Sequence, residues 1–426
     1  MHRRGMILVE MIIGITLFSL VLLTIQVVIG QHISITQLNT SLLESAQTLI
    51  TAIKTKSETG GDVSITTFFI TPCLFESTFQ SRYSALSLNK LYFDDSENNK
   101  RYSDCHRYTS PFNTQHVSIT FLPTPVITPV WLDTVGNSII VGGPQENNAT
   151  STVYLFSKKE DGTYLTTTLD VPGLINQFDA TPNSISIAKD APNQLYTLNL
   201  SPASSPISNS LPNVSGSYPA GRSIFVYDNH VYVGTHRTAG NEFHIFKNPQ
   251  QPQWLSSLEI NHNINQISIK DNTAYLATSG NTDDVILVDI SNPSAPKKIG
   301  SIQFPGTADT LTEYILGKTL YAGRRSNKKS SEPELIACDI SSTSPAIISS
   351  KYISSDILGI LAEGNYIFFI SNSITGPFFA VLYEDSEHMF SEIYRYILPD
   401  IPTAIDYQNT TVYIALKNHE IALFTF

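Results

Sequence analysis

The stretch "NTAYLATSGNTDDVILVDIS", residues 272–291, contains two short apolar runs on either side of a polar loop. Both runs are rich in Val, Ile, Leu, Ala and Tyr, and apolar runs of this length bounded by turn residues favour β-strands. The loop between them supplies Gly, Asn and Asp, which are typical of turns. Residues 272–291 therefore predict an antiparallel hairpin.

Six other segments can be laid over this hairpin, and the starts of the seven units lie roughly 45 residues apart. The six are residues 137–158, 183–200, 229–247, 318–341, 365–385 and 410–426. Each unit has a strand-like run before it and a more variable one after it, except that the last stops at Phe426. The period is that of a four-stranded propeller blade. The sequence therefore predicts a mainly β fold with a seven-bladed β-propeller over residues 116–426.

The run "HVSITFL", residues 116–122, belongs to none of the seven units. We expect it to pair with "EIALFTF", residues 420–426, and so to supply the strand that the last blade lacks. This pairing would join the two ends of the domain and cover the exposed sheet edge.

Two blades carry a recognisable repeat. Residues 283–306, "DDVILVDISNPSAPKKIGSIQFPG", resemble the LVIVD repeat, and residues 334–350 resemble it more weakly. The resemblance implies a surface or secreted propeller and no reaction class. Asp289 and Asp339 occupy the same slot in both copies, which favours a turn cap over a catalytic role. Cys338 takes the slot of a valine and is expected in the core.

The N-terminal segment is apolar. Residues 11–29 carry no charge and are long enough to cross the ~30 Å hydrocarbon layer of a membrane. Arg3 and Arg4 precede them, which predicts a cytoplasmic N-terminus and an exported remainder. Apolar residues continue at helical spacing, so we expect one long helix over residues 6–57. The absence of an A-x-A-like site after the apolar run argues against a cleaved secretory signal.

The first ten residues form a short basic leader ending at Gly5, with Glu10 five positions later. This pattern resembles the N-terminal motif of type IV prepilins and of the pseudopilins of type II secretion. The resemblance implies a leader of residues 1–5, cleavage after Gly5 by the prepilin peptidase, and N-methylation of Met6. Glu10 would then pair with the terminal ammonium of a neighbouring subunit, since an unpaired acid in an apolar layer is costly. An uncleaved signal anchor whose Glu10 reaches the headgroups is the alternative.

Residues 58–115 are polar and rich in turn residues, and they include Cys73 and Cys105. Outside the cytoplasm, we expect these two cysteines to form a disulfide. A metal site would need further ligands, and His106 alone does not complete a set. The region is therefore predicted to be a linker or a small pilin-like subdomain with a disulfide.

Composition and motifs limit the possible functions. The 426 residues include 37 acids and 26 bases, a net charge of −11, so nucleic acid is an unlikely partner. No common catalytic or nucleotide-binding motif is present, so we expect no cofactor and no enzymatic activity.

Folding the hairpin of His230, His236 and His244 places His244 opposite residue 233, and the three rings are then too far apart for one metal ion.

One loop departs from the overall acidity. Residues 323–331, "GRRSNKKSS", could hold a phosphate or sulfate through Arg324, Arg325, Lys328 and Lys329. The same composition is typical of a solvated loop, so both interpretations remain open.

The long connections between second and third strands emerge on one face of a propeller, where we expect a ligand. They are residues 142–151, 235–242, 278–284 and 323–334.

Two functions fit these patterns. The first is a minor pilin-like or pseudopilin-like subunit, anchored in the cytoplasmic membrane before assembly with other pilin subunits. It would display the propeller at the cell surface or filament tip, for adhesion or capture of a glycan or protein ligand. The second is a membrane-anchored envelope enzyme, a hydrolase or lyase. The absence of a catalytic motif favours the first, whereas an acid or histidine cluster in the central channel would favour the second.

Cleavage after Gly5 gives the first testable prediction. A side chain at position 5 would crowd the peptidase at the cleaved bond, so Gly5→Val should leave the leader attached. Mass spectrometry of the wild-type surface protein should find a chain that starts at Met6 and carries one added methyl group. An intact Met1 terminus on the wild-type protein would contradict the pilin resemblance.

Overall fold

The computed structural model describes residues 117–426, apart from 147–148, 201–204, 213, 215–219, 328–331 and 343. Several predicted features lie outside the described residues: Gly5, Met6, Glu10, Cys73, Cys105, Lys328 and Lys329, the helix over 6–57, and the region 58–115. Among the described residues, no helix has the length and apolar character needed to cross a membrane.

The described residues form seven antiparallel sheets of four strands each. Strand β1 (Ser118–Pro123) comes before the first complete blade. Blade 1 consists of β2 (Trp131–Val135), β3 (Ser138–Pro144), β4 (Thr150–Lys158) and β5 (Tyr164–Pro172). Blade 2 consists of β6 (Ile175–Ala180), β7 (Ser184–Lys189), β8 (Leu195–Asn199) and β9 (Ile207–Asn209). Blade 3 consists of β10 (Gly221–Tyr227), β11 (His230–Thr235), β12 (Phe243–Lys247) and β13 (Gln253–Leu258).

The remaining four blades continue the same order. Blade 4 consists of β14 (Ile264–Lys270), β15 (Thr273–Thr278), β16 (Val285–Asp289) and β17 (Lys297–Ile302). Blade 5 consists of β18 (Thr310–Leu316), β19 (Thr319–Arg324), β20 (Leu335–Asp339) and β21 (Ala346–Lys351). Blade 6 consists of β22 (Asp356–Glu363), β23 (Tyr366–Ser373), β24 (Gly376–Glu384) and β25 (Phe390–Ile397). Blade 7 consists of β26 (Pro402–Gln408), β27 (Thr411–Leu416), β28 (Glu420–Thr425) and β1.

The ring closes by pairing of the two ends of the domain. Strand β1 runs antiparallel to β28, from Ser118 opposite Thr425 to Pro123 opposite Glu420. The first strand of each blade lies beside the first strand of the next, including β26 beside β2. The predicted seven-bladed propeller and its closure are therefore confirmed, and the seven first strands surround a central channel.

Tight turns join the first and second strands of the blades. In blade 3 the turn residues Asp228 and Asn229 both have positive φ, of 45° and 60°. The corresponding turn of blade 5 begins with Gly317 at a φ of 56°. Turns with positive φ match the twist of a β-hairpin, and Gly, Asn and Asp adopt this conformation at least cost. These turns mark one face of the propeller.

Small residues allow neighbouring blades to pack closely. One position on the second strand is Gly or Ala in six of the seven blades, namely Gly142, Ala188, Gly234, Ala277, Gly323 and Ala415. A Cβ added at Gly234 would lie only 2.6 Å from Cγ2 of Ile264 in the next blade. At Gly323 the distance to Cγ2 of Ile357 would be 2.5 Å. A larger side chain at this position would therefore push two blades apart.

The repeated residues of the LVIVD-like blades have the predicted structural roles. Asp289 Oδ1 accepts a hydrogen bond of 2.9 Å from the backbone N–H of Ser291, and Asp339 Oδ1 accepts one of 2.8 Å from Ser341. Cys338 is a free thiol and is fully buried in the core between blades 4 and 5. The predictions of two turn caps and a core cysteine are confirmed.

One acid lies in the core between blades. Glu313 of β18 is 0% exposed, at a position where the other six blades have an apolar residue. Those residues are Leu132, Phe178, Ile224, Ile267, Ile360 and Ile405. Neither carboxylate oxygen of Glu313 has a hydrogen bond of good geometry among the described residues, although the backbone groups of Ser268 and Ala277 lie near it. Burial raises the pKa of Glu313 well above its usual value, although nearby backbone groups of Ser268 and Ala277 oppose the shift. Glu313 therefore favours the protonated form.

Replacing Glu313 with Ile should stabilise the propeller. The folded state holds a proton on Glu313 that the unfolded chain releases above its ordinary pKa, so this acid costs stability increasingly as the pH rises. We expect Glu313→Ile to raise the free energy of unfolding by on the order of 1–3 kcal/mol, more at alkaline than at acidic pH. Denaturant unfolding across this pH range measures both effects.

Glu313→Gln is the matched control, because it removes the charge but keeps a polar group. It should reduce the pH dependence with a smaller gain in stability than Ile gives. A Glu313→Ile protein that is less stable than wild type at every pH would contradict this account and indicate a partner for the carboxylate.

Candidate functional site

β-Bulges occur near the start of the first strand in blades 2 to 7. The pairing with the second strand shifts at one residue in each of these blades: Asn176, Arg222, Asn265, Leu311, Leu358 and Thr403. A bulge bends its strand and redirects a side chain. Because the first strands line the central channel, these six residues surround one end of it.

A second set of residues lies at the same end. This set consists of the residue directly after the second strand in five blades. It is Asp190 in blade 2, His236 in blade 3, Ser279 in blade 4, Arg325 in blade 5 and Lys417 in blade 7. The backbone N–H of Arg325 donates to Asp309 O at 2.9 Å, and Asp190, Ser279 and Lys417 make the equivalent bond in their own blades. We call these five residues and the six bulge residues the channel mouth. It lies on the face that carries the connections between second and third strands.

The channel mouth contains polar pairs between the two sets. Asn176 Nδ2 donates to Asp190 Oδ1 at 2.9 Å, and Asn265 Nδ2 donates to Ser279 Oγ at 3.1 Å. In blade 3, Arg222 Nη1 lies 3.1 Å from His236 Nδ1. The same structural position thus carries an amide with an acid, an arginine with a histidine, and an amide with a hydroxyl.

Some mouth residues also connect neighbouring blades. Asn176 Nδ2 donates to Gly221 O of blade 3 at 2.7 Å, and Thr403 Oγ1 donates to Pro129 O beside blade 1 at 3.0 Å. In blade 3 the bond to the next blade is made by Ser223, which follows the bulge residue Arg222. Ser223 Oγ donates to Ile264 O of blade 4 at 3.1 Å. Arg222 is therefore not needed to hold blades 3 and 4 together.

Charge around Arg222 is unevenly distributed. Burial lowers the pKa of Arg222, the charge of Arg325 in blade 5 lowers it further, and only Asp309 opposes these effects. Arg325 is 55% exposed and forms an ion pair with Asp309 at 3.0 Å. Burial, followed by the charge of Arg222, also lowers the pKa of His236. The mouth therefore has positive character, although the chain as a whole is acidic.

The structure divides the basic loop that the sequence suggested as an anion site. Arg324 is 0% exposed, so it cannot take part in a surface anion site. Its guanidinium donates to Pro305 O at 2.9 Å and to Ala308 O at 3.0 Å, and it lies 3.4 Å from Asp284 Oδ1. The side chain thus holds the connection between blades 4 and 5. Successive residues of a β-strand point to opposite sides, and Arg324, the last residue of β19, points into the core. Arg325 points out at the channel mouth.

Other carboxylates hold the chain between blades. Glu242 and Glu334, directly before third strands, are almost fully buried. Glu242 Oε2 accepts from the backbone N–H of Ile260 at 2.9 Å, and Glu334 Oε2 accepts from Ile353 at 2.7 Å. These acids satisfy backbone donors in the connections to the next blade, so they are structural.

Three acids project from first strands near the other end of the channel. Asp406 Oδ2 of blade 7 accepts a hydrogen bond of 2.6 Å from Thr134 Oγ1 of blade 1. Asp133 Oδ2 of blade 1 accepts from the backbone N–H of Ala180 in blade 2 at 2.7 Å, and Asp179 Oδ2 of blade 2 accepts from Val226 in blade 3 at 2.5 Å. We call these three residues the lumen acids. Each joins its blade to the next one around the ring.

The pKa values of all three lumen acids are raised. Burial raises the pKa of Asp179 from its usual 3.8 to about 7 and that of Asp406 to about 6. Burial, together with the charges of the other two, raises the pKa of Asp133 well above its usual value. The carboxyl groups of Asp133 and Asp179 lie close enough for a side-chain hydrogen bond, so one proton can be held between them. Among the described residues, no group of three His, Cys, Asp or Glu side chains is arranged to hold a metal ion.

The histidine hairpin has the predicted register, with His244 opposite Val233. His244 is 0% exposed, and its Nε2 donates to Asn241 O at 2.8 Å. Burial lowers its pKa to about 4, so it stays neutral at physiological pH. His236 instead faces Arg222 at the channel mouth. Sequence reasoning did not single out Arg222, although its position recurs at the blade period with a different residue type each time.

Comparison with known proteins supports the fold and one repeat. Residues 263–303, which include blade 4, match the family model of the LVIVD repeat. A comparison with curated protein sequences found no match.

Several solved structures are similar to this chain, and one of them is described as a β-propeller domain. Virginiamycin B lyase from Staphylococcus aureus has a TM-score of 0.54 at 12% identity, over 73% of this chain and 100% of that one. A protein from Lactobacillus plantarum has a TM-score of 0.55 at 10% identity, over 68% and 90% of the two chains. The propeller domain of Cps50 (Swd1) from Myceliophteria thermophila has a TM-score of 0.53 at 9% identity, over 72% and 100%. At these identities the likeness shows the fold alone.

The lumen acids give a testable pH dependence. The folded state retains a proton on Asp179 up to about pH 7, whereas the unfolded chain releases it near pH 4. Stability from this acid is thus greatest at low pH and is lost as the pH rises through that window. In Asp179→Asn, the amide can accept from Val226 and donate to Asp133. The variant should lose less stability between pH 5 and pH 8, by on the order of 1–2 kcal/mol.

The matched control for this prediction is Asp161→Asn, which changes an exposed acid in the turn between β4 and β5. It should leave the slope of stability against pH unchanged in that window. Thermal unfolding at several pH values gives the comparison, and parallel curves for wild type and Asp179→Asn would show that the lumen acids do not share a proton.

Proposed function

We propose that this chain is a minor pilin-like subunit whose propeller binds a ligand at the channel mouth and displays that site at the cell surface or filament tip. Adhesion or ligand capture is then its task. The observation that carries the binding role is the variation of residue type at the mouth within an otherwise regular repeat.

Some repeated positions with a structural role keep their chemistry from blade to blade. The small residue on the second strand does so in six blades, and the turn caps Asp289 and Asp339 do so in the two LVIVD-like blades. The mouth positions share backbone geometry but change from acid to histidine, serine, arginine and lysine. Function usually resides in such variable positions at the ends of strands on a rigid scaffold. A polar site of mixed charge favours recognition of a specific ligand.

The pilin-like role rests on the sequence. Gly5, Met6 and Glu10 match the prepilin motif, and the long apolar helix would contact other pilin subunits after cleavage by the prepilin peptidase. A propeller is much wider than the spacing of packed helices, about 8–10 Å. Neighbouring copies would collide along a shaft, which favours a low-copy subunit at or near the tip.

An envelope enzyme, a hydrolase or lyase, is the second candidate. The lumen acids favour it, because three acids with raised pKa values meet in the central channel, and perturbed acids are common in active sites. Each of them, however, accepts a hydrogen bond from the next blade. This use of the carboxylates favours a structural role over catalysis.

Trimming the loops beside the mouth tests the binding role. We expect removal of residues 147–149 together with 327–331 to reduce adhesion of cells to surfaces several-fold. The trimming must spare Arg324 and Glu334, because both are buried and hold connections between blades. Thermal unfolding should confirm that the trimmed protein keeps its fold.

The control is an equally short trim within residues 159–163, which connect β4 to β5 on the opposite face. Adhesion that survives the first trim and is lost with the second would move the binding site to the opposite face.

Glu10→Ala tests the filament role independently, since the variant should be exported and cleaved but poorly recovered in sheared filaments. Gold labelling of the propeller along the whole shaft would contradict a position at the tip.

A further inference from the structure

The unusual group at the channel mouth is Arg222. It is half-buried, and among the described residues it forms no ion pair with a carboxylate. Its hydrogen-bonding contact is with the ring of His236, through Nη1 alone. A guanidinium carries five N–H donors in a planar fork, and Nη2 and Nε of Arg222 have no hydrogen-bond acceptor among the described residues, so these donors suit another molecule.

The surroundings of Arg222 add to its positive charge. Arg325 approaches from blade 5, two blades away around the ring, close enough for the two cations to repel each other. Asp309 is paired with Arg325, and Asp190, the other nearby acid, accepts from Asn176. Like charges held together in a partly buried space are unfavourable unless an anion lies between them. The arrangement is thus complementary to a negative group.

We propose that the channel mouth binds an oxyanion, such as a carboxylate, sulfate or phosphate group of a ligand, between Arg222 and Arg325 and beside His236. This inference rests on the proposed ligand-binding function and gives the chemistry of the ligand. The planar fork of Arg222 suits two parallel hydrogen bonds to such a group. His236 can donate a further one when its ring is protonated.

Binding of an oxyanion should depend on pH through His236. In the free protein, burial and Arg222 disfavour the imidazolium form. A bound anion favours it, so binding takes up a proton and affinity rises as the pH falls. Asp190 is the acid whose charge favours the imidazolium form of His236, and Asp309 is the acid whose charge acts on Arg222.

The test is calorimetric titration of the full-length chain in detergent with sulfate, phosphate, acetate and glucuronate, and with glucose as the neutral counterpart of glucuronate. We expect binding of at least one of the anions and none of glucose. Arg222→Gln should weaken anion binding about tenfold or more, the usual cost of losing a charged, bidentate contact. Arg222→Lys keeps the charge without the fork and should fall between wild type and Arg222→Gln.

The matched control is Arg395→Gln, which removes an arginine that pairs with Glu392 on the outer strand of blade 6. It should bind anions as wild type does. His236→Gln should abolish the increase in affinity as the pH falls through and below 6.5, the ordinary histidine pKa, because burial and Arg222 lower the pKa of His236 in the free protein. Thermal unfolding of each variant shows whether it is folded, and Arg222→Lys remains informative if Arg222→Gln is not.

Two results would overturn the oxyanion site: no anion binding to the wild-type chain, or equal anion binding by wild type and both folded Arg222 variants. Either result leaves the proposed function standing if loop trimming still reduces adhesion. The opposite outcome is also distinguishable. If anion binding depends on Arg222 but adhesion survives trimming of residues 147–149 and 327–331, the oxyanion site stands and the adhesive role is refuted.

Discussion

The pairing of β1 with β28 is the interaction on which the rest of the propeller depends. It places the first described strand of the domain on the outer edge of the last blade, opposite Glu420–Thr425. The neighbouring core includes Phe424, which is fully buried and packs 4.7 Å from the ring of Phe379 in blade 6. This pairing links the segment before blade 1 to blade 7, and the contacts of β2 with β26 complete the ring of seven first strands. The channel exists because the ring is closed.

Once the ring is closed, each blade position has a fixed environment. Positions between blades are apolar or small, with Glu313 as the exception, and the close approach of Gly234 to Ile264 is an example. Buried polar groups serve the connections between blades, and Arg324, Glu242 and Glu334 are satisfied largely by backbone groups. Near the start of the first strands in blades 2 to 7, a bulge residue is not paired with the second strand, so its side chain is not restricted by the regular hydrogen-bonded pairing. Different blades can therefore present different chemistry at the mouth without altering the fold.

The two ends of the channel differ in charge. At the mouth, Arg222 and Arg325 provide positive character, and the acids beside them are already paired. Near the other end, burial raises the pKa values of the lumen acids, and each acid bonds to the next blade. Among the described residues, the first arrangement leaves donors of Arg222 without an acceptor, whereas the second uses its acceptors within the ring. This difference, and not the number of charged residues, favours the mouth as the ligand site.

The sequence by itself determined the number of blades, the closing strand, the turn caps and the buried position of Cys338, because these follow from local patterns repeated at one period. It also pointed to the face with the long connections. It did not determine that Arg324 is buried while its neighbour Arg325 is exposed, or that Arg222 meets His236. Those outcomes depend on which blades come together around the ring. Electrostatic interactions between residues more than one blade apart, such as Arg222 and Arg325, are decided only when the tertiary structure brings their strands to a common channel.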